Sequence, residues 1–145
     1  MINLLKYNNS YKGFALKAYG SAFPKLTNDG MYRILSFIGV FNSTLFLLKN
    51  ESRIIGSISV IKKINFSRFR KEIWIAGVYI SPEYRHQHFG TKMMYMILNE
   101  CKKNKNKSIN LYVDINNVNA CKLYEKIGFS YEGTYKHYYK MSYKL

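Results

Sequence analysis

At 145 residues the chain fits one domain, long enough to bury about two thirds of its unfolded surface without a disulfide or metal staple. Its 23 Lys and Arg against 8 Asp and Glu give a net charge of +15, a balance that draws in anionic molecules and disfavours cationic ones. Cys101 and Cys121 form no Cys-x-x-Cys pair, no charged-then-apolar leader opens the chain, and no apolar run nears the roughly 18 residues of a membrane span. The expectation is a reduced, cytoplasmic protein with no membrane partner.

In chain order, Ile2 to Tyr7 reads as a first strand, and Ser10 to Tyr19 and Asn28 to Phe41 carry helix-spaced apolar residues. The period then changes. Thr44 to Leu48, Ile54 to Ile61 and Glu72 to Ile80 are β-branched or aromatic runs parted by polar turns, as in consecutive strands. Gly90 to Cys101 returns to helical spacing through Met93, Met94, Ile97, Leu98 and Cys101. The basic run Lys102-Lys103-Asn104-Lys105-Asn106-Lys107 falls at that helix end and the turn after it, where cations favour the dipole and reach solvent. Ile109 to Ile115 is a strand, Val118 to Ile127 a helix, and Phe129 to Tyr135 with His137 to Tyr143 a closing antiparallel pair. With no internal repeat and no Pro/Gly/Ser linker, residues 1–145 read as one α+β domain with a central mixed, mostly antiparallel sheet and about four helices.

Chemistry enters after Ile80. A strand running into a helix leaves the first helical amides without partners, and with the helix dipole these make an anion site. Pro82 fixes the turn, Arg85 adds charge, His86, Gln87, His88 and Phe89 supply main-chain donors, Gly90 admits close approach, and Thr91 offers a hydroxyl. Further on, Asn117 suits a helix N-cap, Ala120, Leu123, Tyr124 and Ile127 form one helical face, and Gly128 suits the residue past the helix end.

These two stretches resemble the paired motifs of the GNAT superfamily of N-acetyltransferases. Arg85 and Gly90 match the pyrophosphate loop Arg/Gln-x-x-Gly-x-Gly/Ala, with His88 in place of its first glycine and His86 where another glycine is common. The second stretch matches Asn-x-x-Ala-x-x-Leu-Tyr-x-x-x-Gly-Phe at every position. The resemblance spans the chain from Ile54 onward and is looser before it.

The resemblance implies acetyl-CoA as cofactor and transfer of its acetyl group to a primary amine by direct attack in a ternary complex. The strand residues Val78, Tyr79 and Ile80 would hold the pantetheine arm and polarise the thioester, the loop from Arg85 to Thr91 the pyrophosphate, and Asn117 the arm, unless it is a helix cap alone. Tyr124 matches the tyrosine that protonates the leaving sulfur. Glu72 resembles the position of a catalytic glutamate in some members; its neighbours Arg70 and Lys71 offer an ordinary ion pair instead, and water is a third route for the amine proton. Tyr112 stands where some members that acetylate protein amino termini have glutamate, which counts against that substrate.

In this fold the acceptor groove is bordered by the first two helices and the last strand pair, making Phe23, Tyr32, Tyr135 and Tyr138 candidate walls. With eight carboxylates in the chain, a polyamine is a poor match. The expected acceptor is a small-molecule amine with an anionic or neutral remainder, such as an amino-acid derivative, with no specific nucleic-acid partner. A degenerate domain that binds CoA or an anionic partner without turnover is the other reading, motivated by His88 and the unsettled base.

Overall fold

β-branched and aromatic runs give the strands, and the shift to a 3.6-residue period gives the helices between them. The computed structural model describes residues 1–22 and 42–145. In chain order these are β1 (Ile2–Lys6), a short 3-10 turn (Asn9–Tyr11), α1 (Lys12–Ala22), β2 (Ser43–Asn50), β3 (Arg53–Asn65), β4 (Arg70–Ile80), a second 3-10 turn (Pro82–Tyr84), α2 (Phe89–Lys103), β5 (Ser108–Asp114), α3 (Val118–Ile127), β6 (Ser130–Tyr135) and β7 (Tyr138–Lys144). The expected helix over Asn28 to Phe41 lies outside the described residues.

All seven strands form one sheet in the order β1-β2-β3-β4-β5-β7-β6. Every neighbouring pair is antiparallel except β4 and β5, which run parallel. This is the mixed, mostly antiparallel α+β arrangement expected from the sequence. Among the boundaries that move, two have clear local reasons. α1 begins at Lys12 because Asn8 caps a 3-10 turn first, its side chain accepting from the Ser10 amide at 3.0 Å. β3 runs on through Lys62 and Lys63, since exposed cations pair as well as apolar residues where their side chains reach water.

The sheet is covered unequally. On one face α2 buries Met93, Met94, Ile97, Leu98 and Cys101 against Ile58, Ile73, Ile75, Ile109, Leu111 and Met141, with Tyr124 and Ile127 of α3 in the same core. The other face carries α1, whose Ala15 and Tyr19 pack on Leu45 and Leu47; the Tyr19 hydroxyl meets Ser59 Oγ at 2.7 Å. Both cysteines are free and buried, and burial pushes the Cys101 thiol up to about 11.

Candidate active site

The parallel contact between β4 and β5 is short. It covers Ile73 with Ile109, Trp74 with Asn110 and Ile75 with Leu111, and then the strands part. Just beyond, the register of β3 with β4 slips between Ser57 and Ser59, and Gly77 takes a left-handed φ of 59°, so β4 bulges where the gap opens. The Ser81 amide bonds Ile55 of β3 at 2.8 Å. Because successive strand residues turn their peptide groups to opposite edges, Ile80 and Val78 turn theirs towards the gap. The Ile80 carbonyl on that edge accepts Arg85 Nε at 2.9 Å. Tyr79 points the other way, buried edge-on against Phe14 at 5.9 Å between ring centres.

The loop from Arg85 to Thr91 is a row of free donors. The Tyr84 and Arg85 amides close the 3-10 turn onto Ser81 and Pro82, and the next amide with a protein acceptor is that of Lys92, to His88 at 3.0 Å. Among the described residues the six amides from His86 to Thr91 have no acceptor. His86 and His88 both take left-handed backbone, φ 60° and 63°, the conformation glycine adopts without penalty. Their side chains are exposed. Arg85 folds back, its guanidinium 5.9 Å from the Tyr79 ring centre, and sets its charge beside the loop. Gly90 serves packing more than phosphate access: an added Cβ would lie 3.6 Å from Leu123 and 3.8 Å from Ile80, facing α3 and β4.

α3 is capped at both ends by the residues its sequence offers. Asn117 Oδ1 accepts the Ala120 amide at 3.2 Å, and Gly128, at φ 112°, sends its amide back to Tyr124 and Glu125. Tyr124 is 6% exposed, beside Phe129. No described group hydrogen-bonds its hydroxyl, yet no fully sealed polar side-chain atom in the described residues lacks a partner. The hydroxyl therefore keeps an opening to the surface, and burial of the ring holds its pKa far above the ordinary tyrosine value, so the proton stays on.

On the opposite face lies an aromatic floor. Trp74 of β4 stacks on Tyr112 of β5 at 5.0 Å, and Tyr112 also meets Tyr135 and Tyr138 at 6.3 and 6.5 Å. Lys63 and Lys140 sit over the Trp74 ring. Glu72 belongs to this face but is already engaged: Asn65 Nδ2 donates to it at 2.8 Å, Trp74 Nε1 at 3.2 Å, and Arg70 lies 3.8 Å away. The Asn65 hydrogen bond leads in holding its carboxyl below the usual range. A carboxylate so stabilised is a weak base, which is the physical case against Glu72 as the proton acceptor. Phe23 and Tyr32 lie outside the described residues.

A family model, described as the acetyltransferase (GNAT) family, matches residues 14–129. The chain belongs to the GNAT family of acetyltransferases. It is similar to N-alpha-acetyltransferase 50 of Danio rerio, 31% identical over 119 residues that cover 81% of this chain and 68% of the relative. Among solved structures, spermidine N-acetyltransferase from Vibrio cholerae in complex with CoA and spermine superposes with a TM-score of 0.79 at 18% identity, covering 99% of this chain and 95% of that one. NAA60 of Arabidopsis thaliana in complex with a bisubstrate analogue gives 0.78 at 14% identity, covering 99% and 98%.

As a GNAT acetyltransferase the chain is an acyltransferase whose acyl donor is acetyl-CoA. The residues fit that donor: six free amides suit a pyrophosphate, and the parted strands offer unpaired peptide groups for an amide-bearing arm. Two contributors to this GNAT site escaped the sequence reading. An added Cβ at Gly56 would come within 2.7 Å of Ile80 Cδ1 and 2.8 Å of the Tyr79 carbonyl oxygen, so glycine is what lets β3 approach the end of β4. The signal was a lone glycine inside the run Ile54-Ile55-Gly56-Ser57-Ile58. Trp74, the centre of the floor, is the chain's one tryptophan.

Proposed function

We propose that this GNAT domain acetylates the α-amine of an amino-acid derivative by direct attack in a ternary complex. Acetyl-CoA supplies an activated thioester. Peptide groups of Val78 and Ile80 at the gap orient it, the amides from His86 to Thr91 hold its phosphates, and Tyr124 delivers a proton to the departing sulfur. With the Glu72 carboxylate engaged by Asn65 and Trp74, the proton of the amine leaves through water. The observation that carries the choice of acceptor is the floor itself. Trp74, Tyr112, Tyr135 and Tyr138 are uncharged, two lysines lie over Trp74, and the Glu72 carboxylate beside it is engaged by Asn65. Such a surface receives an apolar or anionic remainder and repels a polycation.

The amino terminus of a peptide is a second reading, favoured by the 31% identity to a protein named for N-alpha acetylation. One experiment ranks these. Free-thiol release from acetyl-CoA is measured with leucine amide, glutamate, a short peptide with a free amino terminus, and spermidine. The expected kcat/KM for an α-amine is at least about tenfold above that for spermidine, a difference of about 1.4 kcal/mol in transition-state binding. A preference for the peptide would select the second reading, and a preference for spermidine would overturn both.

A further inference from the structure

The hairpin joining β3 and β4 breaks two local rules at its tip. Asn65 and Arg70 are its last paired residues, which leaves Phe66-Ser67-Arg68-Phe69 as the connection. The Arg68 amide returns to the Asn65 carbonyl at 3.3 Å and to its side-chain oxygen at 3.2 Å, a turn-opening role that asparagine favours. Phe69 then takes φ 45°, a left-handed position suited to glycine or asparagine and uncommon for a bulky ring. Phe69 is also 92% exposed and Phe66 76%. Neither ring serves the core, so both the backbone strain and the bare apolar surface lack a structural return.

The tip belongs to a cationic end of the molecule. Arg68, Arg70 and Lys71 flank the rings, and all are exposed. Since Ile73 of β4 lies beside Ile109 of the parallel β5, the lysines of the 102–107 turn come to the same end. Lys144, opposite Ser108, joins them. Among the described side chains, Glu72 and Glu100 are the carboxylates near this end, and Glu72 is held by Asn65. Positive charge is thus in excess where the two phenylalanines protrude.

We propose that this end docks peripherally on an anionic lipid surface, with Phe66 and Phe69 entering the headgroup region and the surrounding cations meeting lipid phosphates. No helix among the described residues is long and apolar enough to cross a membrane, and none is needed. Phenylalanine has no hydrogen-bonding group with which to read a base edge. A bilayer asks only for apolar bulk at the tip and positive charge behind it. The acetyl-CoA loop sits at the other end of the 11-residue β4, roughly 35 Å away at about 3.3 Å per residue, so docking leaves the donor's entry open.

The test uses the full chain with vesicles of phosphatidylcholine alone or with about 30 mol% phosphatidylserine. Sedimentation with the anionic vesicles only is expected, weakening at least roughly tenfold as salt rises from about 0.05 to 0.3 M. Phe66→Ala combined with Phe69→Ala should lower the apparent affinity at least roughly tenfold while keeping the acetyl-CoA thermal shift. A Phe69→Trp chain should show a blue-shifted emission on the same vesicles that the native Trp74 alone does not. Equal binding by the double alanine variant would reduce the contact to charge and overturn the proposal. So would binding to oligouridylate with the same dependence on the two phenylalanines and none to vesicles.

Discussion

His88 holds the left-handed backbone of a glycine without being one, and replacing it separates what the loop's main chain does from what its side chain does. At φ 63° and ψ 10° a non-glycine residue carries about 1–2 kcal/mol of strain, towards the lower figure for histidine, which tolerates this region better than most. Glycine relieves that strain and returns about 0.5–1 kcal/mol of unfolded-chain entropy, so His88→Gly is expected to be about 0.5 kcal/mol more stable than the native chain. His88→Ala keeps the strain, loses histidine's tolerance and should melt below it. The two variants are separated by about 1 kcal/mol, or roughly 3 °C for a chain of this size. Both should bind acetyl-CoA, because the proposed donors are the amides from His86 to Thr91, which lack an acceptor among the described residues, and not the imidazole. At about 100 times its dissociation constant the donor adds about 2.7 kcal/mol, read as a second rise in melting temperature. A folded His88→Gly protein that melts more than about 1 kcal/mol below the native one, or that shows no acetyl-CoA shift, would refute the reasoning.

Tyr124→Phe keeps a ring packed beside Phe129 and removes a hydroxyl with no partner among the described residues, so melting temperature and acetyl-CoA affinity should hold while single-turnover acetyl transfer falls about 10²-fold; an unchanged chemical rate assigns the proton to solvent. Glu72 has a lowered pKa in the fold, so the stability it contributes is present above the ordinary carboxylate value of 4.5 and is lost as pH falls through the lower folded value. Denaturation at decreasing pH should therefore show the native chain losing its midpoint more steeply than Glu72→Gln, and the acidic limb of the pH–rate profile should survive the substitution; its disappearance would restore Glu72 as the base. Gly56→Ala drives a Cβ against the Tyr79 carbonyl oxygen at 2.8 Å and should cost about 1–3 kcal/mol and weaken acetyl-CoA binding, with Gly13→Ala, which meets nothing within 4 Å, as the control in thermal melts. Equal behaviour of the two alanines would mean that β4 gives way freely at its end.

The C-terminal half was the more legible because its signals are local. Asn117 and Gly128 are cap residues at both ends of one apolar face, and α3 spans Val118–Ile127 as its spacing predicts. Met93 to Cys101 likewise announced the buried side of α2. The loop could be read as a phosphate cradle, but not how a histidine would sit in it. That depends on a backbone angle forced by the strand before and the helix after, and so does the inward orientation of Gly90. Glu72 could be placed on β4 by pattern, yet its basicity is set by Asn65 and Trp74, partners fixed by the hairpin's register. The aromatic floor was legible only in part, through Tyr135, Tyr138 and Tyr112, because Trp74 joins Tyr112 across strands far apart in the chain. The two phenylalanines of the hairpin gave no sequence signal at all, since exposure is decided by where a turn protrudes.

The parallel contact of β4 and β5 divides the sheet into two leaves, β1 to β4 and β5 to β7, each closed by antiparallel pairing within its own stretch of chain. The leaves are stitched by the residues from Ile73 to Ile75 and by Asn110, whose side chain reaches the Ile73 carbonyl at 3.3 Å. Breaking that seam leaves the hydrogen bonds inside each leaf intact, so it is the place where the molecule can breathe without unfolding. A donor lodged where the strands part lies across the same line and acts as a rivet between the leaves. Amide exchange at Ile73 to Ile75 then reports how often the leaves separate, and loading the enzyme slows exchange there before it is felt anywhere else in the sheet.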